Sequence, residues 1–116
     1  MQSTRIGFIG LGNVGGKLAG NLLHHGVNLT VLDLNEELVA AFVAKGARRA
    51  DSPRSMTGQV DIVITCLPSP AASRAVLEGQ DGVLAGMSAG KVWLEMSTTD
   101  QSEIVRLGAL VTAKGG

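Results

Sequence analysis

The chain has 116 residues, a formal net charge of zero, 45% apolar residues and 17% charged residues. This length suits one domain with a single core, and the composition is too apolar for a disordered chain. The basic residues form no cluster larger than Arg48-Arg49, whereas binding to a nucleic-acid backbone requires an extended positive surface. We therefore expect a folded domain that does not bind nucleic acid.

Three features indicate the compartment. The longest apolar run, residues 62–67, is interrupted at Thr65 and is far shorter than the roughly 18 residues that span a bilayer. The first residues lack the charged region and apolar core of a signal peptide. The one cysteine, Cys66, cannot form an internal disulfide, which fits a reducing environment. These features predict a cytoplasmic protein without a membrane partner.

The first third of the chain has the pattern of a strand, a helix and a second strand. Residues 5–9 form a short apolar run that ends in a glycine cluster. Apolar residues then recur at the four-residue spacing of a helix, at Val14, Leu18 and Leu22. Gly26 is suited to end this helix, and residues 28–33 have the composition of a strand.

The middle of the chain repeats this alternation. Asn35 is a predicted cap for a second helix through Ala44, closed by Gly46, and a short third strand is expected at residues 47–50. Ser52-Pro53 predicts the start of a brief helix. Residues 60–67 form the fourth predicted strand, and their almost continuous apolar character is typical of a parallel strand covered on both faces.

The last third contains two more helices and one strand. Ser69-Pro70 predicts a helix through about Leu77, and the glycine-rich stretch 78–90 predicts a loop with one helical turn. Residues 91–96 form the fifth predicted strand. Asp100 and Glu103 have capping-box spacing at the start of a closing helix, which runs to the terminal glycines.

This alternation of strands and helices predicts an α/β fold of the Rossmann type. We expect a doubly wound parallel sheet with strand order 3-2-1-4-5 and helices on both faces. Ligands bind such sheets where the strand order reverses, at the carboxyl ends of the strands. Here those ends are Ile9-Gly10 and residues 66–68.

A glycine motif lies between the first strand and the first helix. Residues 10–15 fit G-x-G-x-x-G and comprise Gly10, Leu11, Gly12, Asn13, Val14 and Gly15. In this context the first glycine permits a tight turn, the second lets the backbone approach a pyrophosphate, and the third lets the helix pack against the sheet. Backbone N–H groups near Asn13 and Val14 would face the anion. The motif therefore predicts a dinucleotide site.

Asp33 closes the second strand, 23 residues after Gly10. An acidic side chain there accepts hydrogen bonds from the adenosine ribose and repels a 2′-phosphate, which favours NAD over NADP. Two simpler interpretations are an ordinary glycine loop and an aspartate that caps a helix beside Asn35. An S-adenosylmethionine-binding fold is the main competitor, but the third glycine, Gly15, favours a dinucleotide.

Residues 6–22, IGFIGLGNVGGKLAGNL, resemble the N-terminal signature of the β-hydroxyacid dehydrogenases. This family includes 3-hydroxyisobutyrate dehydrogenase, tartronate semialdehyde reductase and 6-phosphogluconate dehydrogenase. Its usual methionines are replaced by Val14 and Leu18, which are also apolar, and Asn21 matches the family asparagine. Residues 66–69 resemble the family loop after strand four, and residues 95–99 resemble its serine-threonine turn after strand five.

The resemblance implies further cofactor contacts. Leu67 and Pro68 would pack on or near the cofactor, and Thr98, together with Ser97, would lie near its nicotinamide end. The alternatives are that Pro68 only stops a strand and that residues 97–100 only cap the last helix.

The resemblance also implies what the chain would do. Such enzymes transfer hydride between nicotinamide and a small β-hydroxy acid, are expected to be homo-oligomers, and carry their catalytic lysine in a segment that would follow Gly116. We therefore expect residues 1–116 to be a dinucleotide-binding domain without a catalytic residue, from which the substrate domain is absent. The alternative function is a non-catalytic regulatory module that binds NAD.

Other candidate residues have simpler interpretations. His24-His25 favours interaction with a helix C-terminus over a metal site, because adjacent helical residues diverge and no further ligand accompanies them. Cys66 is interpreted as a small buried apolar residue and Trp93 as a core residue. Lys17 does not complete a P-loop, since Leu18 stands where serine or threonine is required. We expect no metal.

Overall fold

The computed structural model describes residues 4–67, 70–95 and 101–113. Within these residues the chain folds into a five-stranded sheet in the order β3-β2-β1-β4-β5. The paired strands are all parallel. The predicted doubly wound Rossmann-type sheet is therefore confirmed, including its strand order.

The elements follow the predicted alternation closely. The strands are β1 Arg5–Ile9, β2 Asn28–Leu32, β3 Arg48–Arg49, β4 Ile62–Thr65 and β5 Val92–Glu95. The helices are α1 Asn13–His24, α2 Glu36–Ala44, α3 Pro53–Gln59, α4 Pro70–Glu78, α5 Val83–Gly86 and α6 Gln101–Ala113. The helical turn expected in the loop 78–90 is α5, and the short third strand is reduced to two residues.

Two of the predicted helix caps form as expected, whereas those at Ser69 and Asp100 lie outside the described residues. The Asn35 side chain caps α2 by accepting a hydrogen bond of 3.0 Å from the N–H of Glu37. The Ser52 hydroxyl caps α3 by accepting one of 3.0 Å from the N–H of Ser55, and Pro53 occupies the first turn. Each cap satisfies an N–H group that has no partner inside its helix.

The sheet separates two apolar clusters. One contains Phe8, Leu29 and Val31 and packs beneath α1 and α2, and the other contains Met56, Val63 and Leu107 on the opposite face. Burial on both faces explains the continuous apolar runs of these strands. Each helix layer thus holds the strands in place and leaves their carboxyl ends free to form a site.

Trp93 shows where the core prediction was only partly right. Its side chain is half-buried and packs against the second cluster, and its indole Nε1 donates a hydrogen bond of 2.9 Å to Oγ1 of the buried Thr65. The two side chains come from adjacent strands in parallel register. This contact fastens β5 to β4.

In the part of the chain that the structure describes, we find no helix with the length and apolar character needed to cross a membrane.

Candidate functional site

A cleft of roughly 1030 Å³ opens at the carboxyl ends of the strands. Its walls are the glycine turn after β1, the turn between β2 and α2, the end of β4, and the exposed side of α4. The turns that precede α3 and α5 complete it, and the N–H of Arg54 joins them by donating to the carbonyl oxygen of Asp81 at 2.7 Å. The cleft lies at the predicted point where the strand order reverses.

Gly10 and Gly15 allow the backbone to pack closely at this end of the sheet. Gly10 has φ 101°, and a Cβ atom on it would collide with the carbonyl oxygen of Cys66. A Cβ atom on Gly15 would collide with the carbonyl oxygen of Gly10 and would lie 3.3 Å from the Cβ of Cys66. Glycine at these two positions therefore lets α1 begin directly against the ends of β1 and β4.

Gly12 differs from the other two glycines of the motif. It has an ordinary φ of −68°, and a Cβ atom on it would meet nothing within 4 Å. Gly12 lines the cleft and precedes the first turn of α1. The fold itself does not need glycine here, so the open space is available to a ligand that approaches the backbone.

The remaining motif residues contribute in different ways. The side chain of Leu11 is 2% exposed and belongs to the core. Only the backbone of Leu11 is therefore available to a ligand at the turn. Val14 is 63% exposed and lines the cleft. Asn13 begins α1, and its side chain lies outside what the structure describes. The first-turn N–H groups of α1 have no partner within the helix and carry its positive dipole end.

Asp33 lies just beyond β2 and lines the same cleft. Its Oδ2 accepts a hydrogen bond of 2.6 Å from the N–H of Leu11, and its Oδ1 accepts one of 2.8 Å from the N–H of Asn35. Asp33 is therefore not the capping residue of α2. Asn35 caps that helix, and Asp33 accepts a hydrogen bond from the backbone N–H of Asn35.

The end of β4 supplies another wall. Cys66 and Leu67 are half-buried and line the cleft. The interpretation of Cys66 as a small buried apolar residue is thus only partly right, since Cys66 is half-buried and borders the site. Pro68, Ser97 and Thr98 lie outside the described residues, so their proposed contacts remain predictions.

Several lining residues were not found from the sequence. The fully exposed Leu34 and the half-buried Leu38 come from the β2–α2 region, and Pro53, Ala72 and Val76 come from the opposite wall. The apolar residue directly after Asp33 was the one signal available in the sequence. Pro53, Ala72 and Val76 are distant from these residues in sequence and approach them only through the packing of α3 and α4.

The charges that border the cleft have one sign. Asp33, Asp51 and Asp81 line it, and none of the described lining residues is lysine or arginine. An extra phosphate group near these carboxylates would be repelled without a compensating cation.

No metal site appears in the described part of the chain, where no group of three or more histidine, cysteine, aspartate or glutamate side chains could hold an ion. His25 lies at the end of α1, and its Nδ1 is 2.8 Å from the carbonyl oxygen of Asn21. This agrees with the predicted interaction at the helix C-terminus.

The fold, the glycine turn and the acidic residue after β2 define a dinucleotide-binding α/β domain. Residues 5–116 match the family described as the NAD binding domain of 6-phosphogluconate dehydrogenase. The chain therefore belongs to that family, the N-terminal domain of the β-hydroxyacid dehydrogenases, and it is an NAD(P)-binding domain. The resemblance inferred from residues 6–22 is confirmed, and the competing S-adenosylmethionine interpretation is not supported.

Similar proteins include enzymes and a nuclear factor. The chain is 38% identical to 2-(hydroxymethyl)glutarate dehydrogenase of Eubacterium barkeri, covering 98% of this chain and 38% of the relative. It is 40% identical to 3-sulfolactaldehyde reductase of Escherichia coli K12, covering 95% of this chain and 37% of the relative. It is 38% identical to the cytokine-like nuclear factor N-PAC of Danio rerio, covering 97% of this chain and 24% of the relative. The chain thus spans between about a quarter and two-fifths of these relatives.

The structural comparison agrees. A solved structure of 3-hydroxyisobutyrate dehydrogenase from Mycobacterium tuberculosis superposes with a TM-score of 0.85 at 26% identity, covering 98% of this chain and 38% of that one. The described architecture is thus that of the oxidoreductases in this family.

Proposed function

We propose that this domain binds NAD in the cleft at the ends of β1, β2 and β4, as the cofactor-binding part of a dehydrogenase. The observation that carries the proposal is the open space at Gly12, which faces the cleft at the start of α1 and lies near the Asp33 carboxylate. The residues present fit a dinucleotide. A bound nicotinamide would supply a carbon that accepts or donates hydride.

Each part of the dinucleotide has a complementary surface. The backbone of residues 12–14 at the positive end of α1 would hold the pyrophosphate. Asp33 would accept hydrogen bonds from the adenosine ribose. The apolar side chains on the walls, Leu34, Leu67 and Val76 among them, would cover the adenine. From the family resemblance, Pro68 and Thr98 would lie near the cofactor, Thr98 at its nicotinamide end.

The charge of the cleft supports NAD over NADP. NADP carries a phosphate on the ribose hydroxyl that NAD leaves free, and Asp33 would lie beside it. The further carboxylates of Asp51 and Asp81 add repulsion, and no lysine or arginine among the described lining residues offsets it.

In the intact protein we propose hydride transfer between nicotinamide and a small β-hydroxy acid. The enzyme relatives support this assignment, because 2-(hydroxymethyl)glutarate dehydrogenase and 3-hydroxyisobutyrate dehydrogenase are named for β-hydroxy acids, and 3-sulfolactaldehyde reductase for a small acidic aldehyde. Residues 1–116 would form one dinucleotide-binding domain, and the substrate domain and catalytic lysine would lie outside them. We also propose that the intact protein is a cytoplasmic homo-oligomer.

A second candidate is a module that binds a dinucleotide without catalysis. It is supported by the similarity to N-PAC, whose name describes a nuclear factor rather than an enzyme. Assay of the full gene product with β-hydroxy acids and NAD separates the two candidates, because only the first predicts reduction of NAD.

Calorimetric titration of the 116-residue protein with NAD and NADP tests the binding proposal. The informative variant is Gly12→Val, which places a side chain in the open space at a position where a Cβ atom meets nothing within 4 Å in the free protein. The matched control is Gly20→Ala, because Gly20 lies in α1 and its Cβ would also meet nothing within 4 Å.

We expect saturable binding of NAD, weaker binding of NADP, loss of NAD binding in Gly12→Val and retention in Gly20→Ala. Circular dichroism would show that both variants are folded. Equal NAD affinity in Gly12→Val and the wild type would contradict the assignment of the pyrophosphate to this turn.

A further inference from the structure

Asp33 makes two hydrogen bonds that recognition of a ribose does not require. Its two carboxylate oxygens accept from the N–H groups of Leu11 and Asn35, at 2.6 Å and 2.8 Å. Leu11 lies in the turn between β1 and α1, and Asn35 lies in the turn between β2 and α2. One side chain thus joins the two turns that border the cleft.

The hydrogen bond from the N–H of Leu11 to the Asp33 carboxylate is of the charge-assisted type. A hydrogen bond between a backbone N–H and an ionised carboxylate is shorter and stronger than one between neutral groups. This one is short and partly buried, so water competes poorly for either partner. Its loss would leave the N–H of Leu11 without the partner that fixes its direction.

The glycine turn has other restraints on either side of Leu11, including a hydrogen bond of 2.6 Å from the N–H of Gly16 to the carbonyl oxygen of Gly12. The N–H of Gly10 donates to the carbonyl oxygen of Leu32 at 3.0 Å, and the Leu11 side chain is anchored in the core. The next residue, Gly12, has no side chain and open space around it. The carboxylate of Asp33 adds a side-chain restraint on the N–H of Leu11, immediately before the predicted pyrophosphate position.

We propose that Asp33 is a positioning residue that holds the glycine turn in its ligand-binding shape, in addition to facing the ribose. This inference rests on the proposed binding of a dinucleotide in the cleft. Both roles are compatible, because each carboxylate oxygen accepts more than one hydrogen bond and the N–H contacts leave acceptor sites free. Asp33 then contributes to the affinity for any dinucleotide, and not only to the choice between NAD and NADP.

The test separates the turn from the ribose by the choice of probe. One probe is NAD, and the other is an NAD analogue whose adenosine ribose lacks both hydroxyl groups and so offers Asp33 no hydrogen bond. The variants are Asp33→Ala, which removes both acceptors, and Asp33→Asn, which keeps one oxygen for the N–H of Leu11. Glu37→Gln is the charge control, because Glu37 is exposed at the start of α2 and does not line the cleft.

We expect Asp33→Ala to weaken binding of the analogue by about tenfold or more, as expected for loss of a charge-assisted hydrogen bond. Asp33→Asn should recover part of this loss for the analogue, because its single amide oxygen can accept from only one of the two N–H groups, whereas Glu37→Gln should change the affinity by less than about twofold. If Asp33→Ala weakens NAD but leaves the affinity for the analogue unchanged, Asp33 acts through the ribose alone and the proposal is wrong.

A second measurement needs no ligand. In the free protein, the amide proton of Leu11 should resonate downfield and exchange slowly, and Asp33→Ala should abolish both properties while Asp33→Asn retains part of them. An unchanged Leu11 amide in Asp33→Ala would overturn the proposal. Failure of the wild type to bind either probe would instead overturn the proposed function, and the amide measurement would still decide whether Asp33 holds the turn.

Discussion

The carbonyl oxygen of Cys66 occupies the space that a Cβ atom on Gly10 would take, where β1 and β4 end side by side. The N–H of Cys66 also donates to the carbonyl oxygen of Ile9 at 2.9 Å, so the two strands remain paired up to this point. Gly10 combines this close approach with a positive φ of 101°, which L side chains rarely adopt. The glycines of the motif therefore differ in what they do.

Substitution of Gly10 should destabilise the fold, whereas substitution of Gly12 should not. We expect Gly10→Ala to lower the free energy of unfolding by about 2 kcal/mol or more, because strain at positive φ and the collision with Cys66 act together. Gly12→Ala should cost less than about 1 kcal/mol, as a change at a helix cap. Urea denaturation followed by circular dichroism measures both. Equal stability of the two variants would contradict this division of roles.

The contact between Thr65 and Trp93 should be measurable through the single tryptophan of the chain. Thr65→Val keeps the side-chain shape but removes the acceptor of the indole N–H, at a position with no solvent exposure. We expect a loss of about 1 kcal/mol in the free energy of unfolding, the usual net contribution of a single hydrogen bond, because the indole donor is only partly buried. Urea denaturation followed by Trp93 fluorescence measures it.

Trp93→Phe provides the control for the indole contact. In a double-mutant cycle, Thr65→Val should cost less when residue 93 is phenylalanine, since no indole N–H is then left without an acceptor. Additive effects of the two substitutions would show that the hydrogen bond contributes nothing measurable.

Acid stability should depend on Asp61, at the edge of the sheet opposite the cleft. A side-chain hydrogen bond from Arg5, with further contacts from its backbone N–H and its charge, lowers the pKa of Asp61 below the ordinary value of 3.8. A lowered pKa in the folded state contributes stability that is present above pH 3.8 and is lost as the pH falls through the folded-state pKa.

The Asp61→Asn variant tests this contribution. It should be less stable than the wild type near neutral pH, and the difference should shrink on acidification below about pH 4, where the wild-type carboxylate becomes protonated. Thermal unfolding across pH 2 to 7 checks it, with Asp51→Asn as a control at another exposed carboxylate. A difference that is constant over this range would contradict the assignment.

The preference for NAD should be adjustable at Leu34. This side chain is fully exposed, lines the cleft and directly follows Asp33. Leu34→Arg would supply the cation that the described lining residues lack, and should raise the affinity for NADP relative to NAD by about fivefold, the size of one partly exposed ion pair. The control is Val43→Arg, which adds the same charge to α2 outside the cleft. If both variants shift the ratio equally, the effect is one of net charge.

Most of the fold could be predicted from the sequence because its signals are local. Asn35 and Ser52 mark helix starts, and the apolar runs of β1 and β4 mark buried parallel strands. The short β3 was hardest to delimit, because only Arg48 and Arg49 pair with β2 and both side chains are exposed. A strand without an apolar pattern has no period to detect.

The site was predictable only where a motif described it. The glycine turn and Asp33 have fixed spacing and context, and the structure places both at the cleft. The contribution of Pro53 and Val76 to the wall of the cleft depends on how α3 and α4 pack against the sheet. No local sequence pattern predicts that packing. The bond from the N–H of Leu11 to Asp33 joins residues 22 positions apart, and sequence spacing does not reveal the direction of a side chain.

The most direct test of the central claim is an NMR titration of the uniformly ¹⁵N-labelled protein with NAD. We expect saturable shifts in the backbone amides of residues 10–16, 33–35 and 66–67, around the cleft. The amides of Arg5, Asp61 and Lys91, which lie at the opposite edge of the sheet, should not move. Shifts confined to that opposite edge, or none at saturating NAD, would contradict the assignment of the cleft as the dinucleotide site.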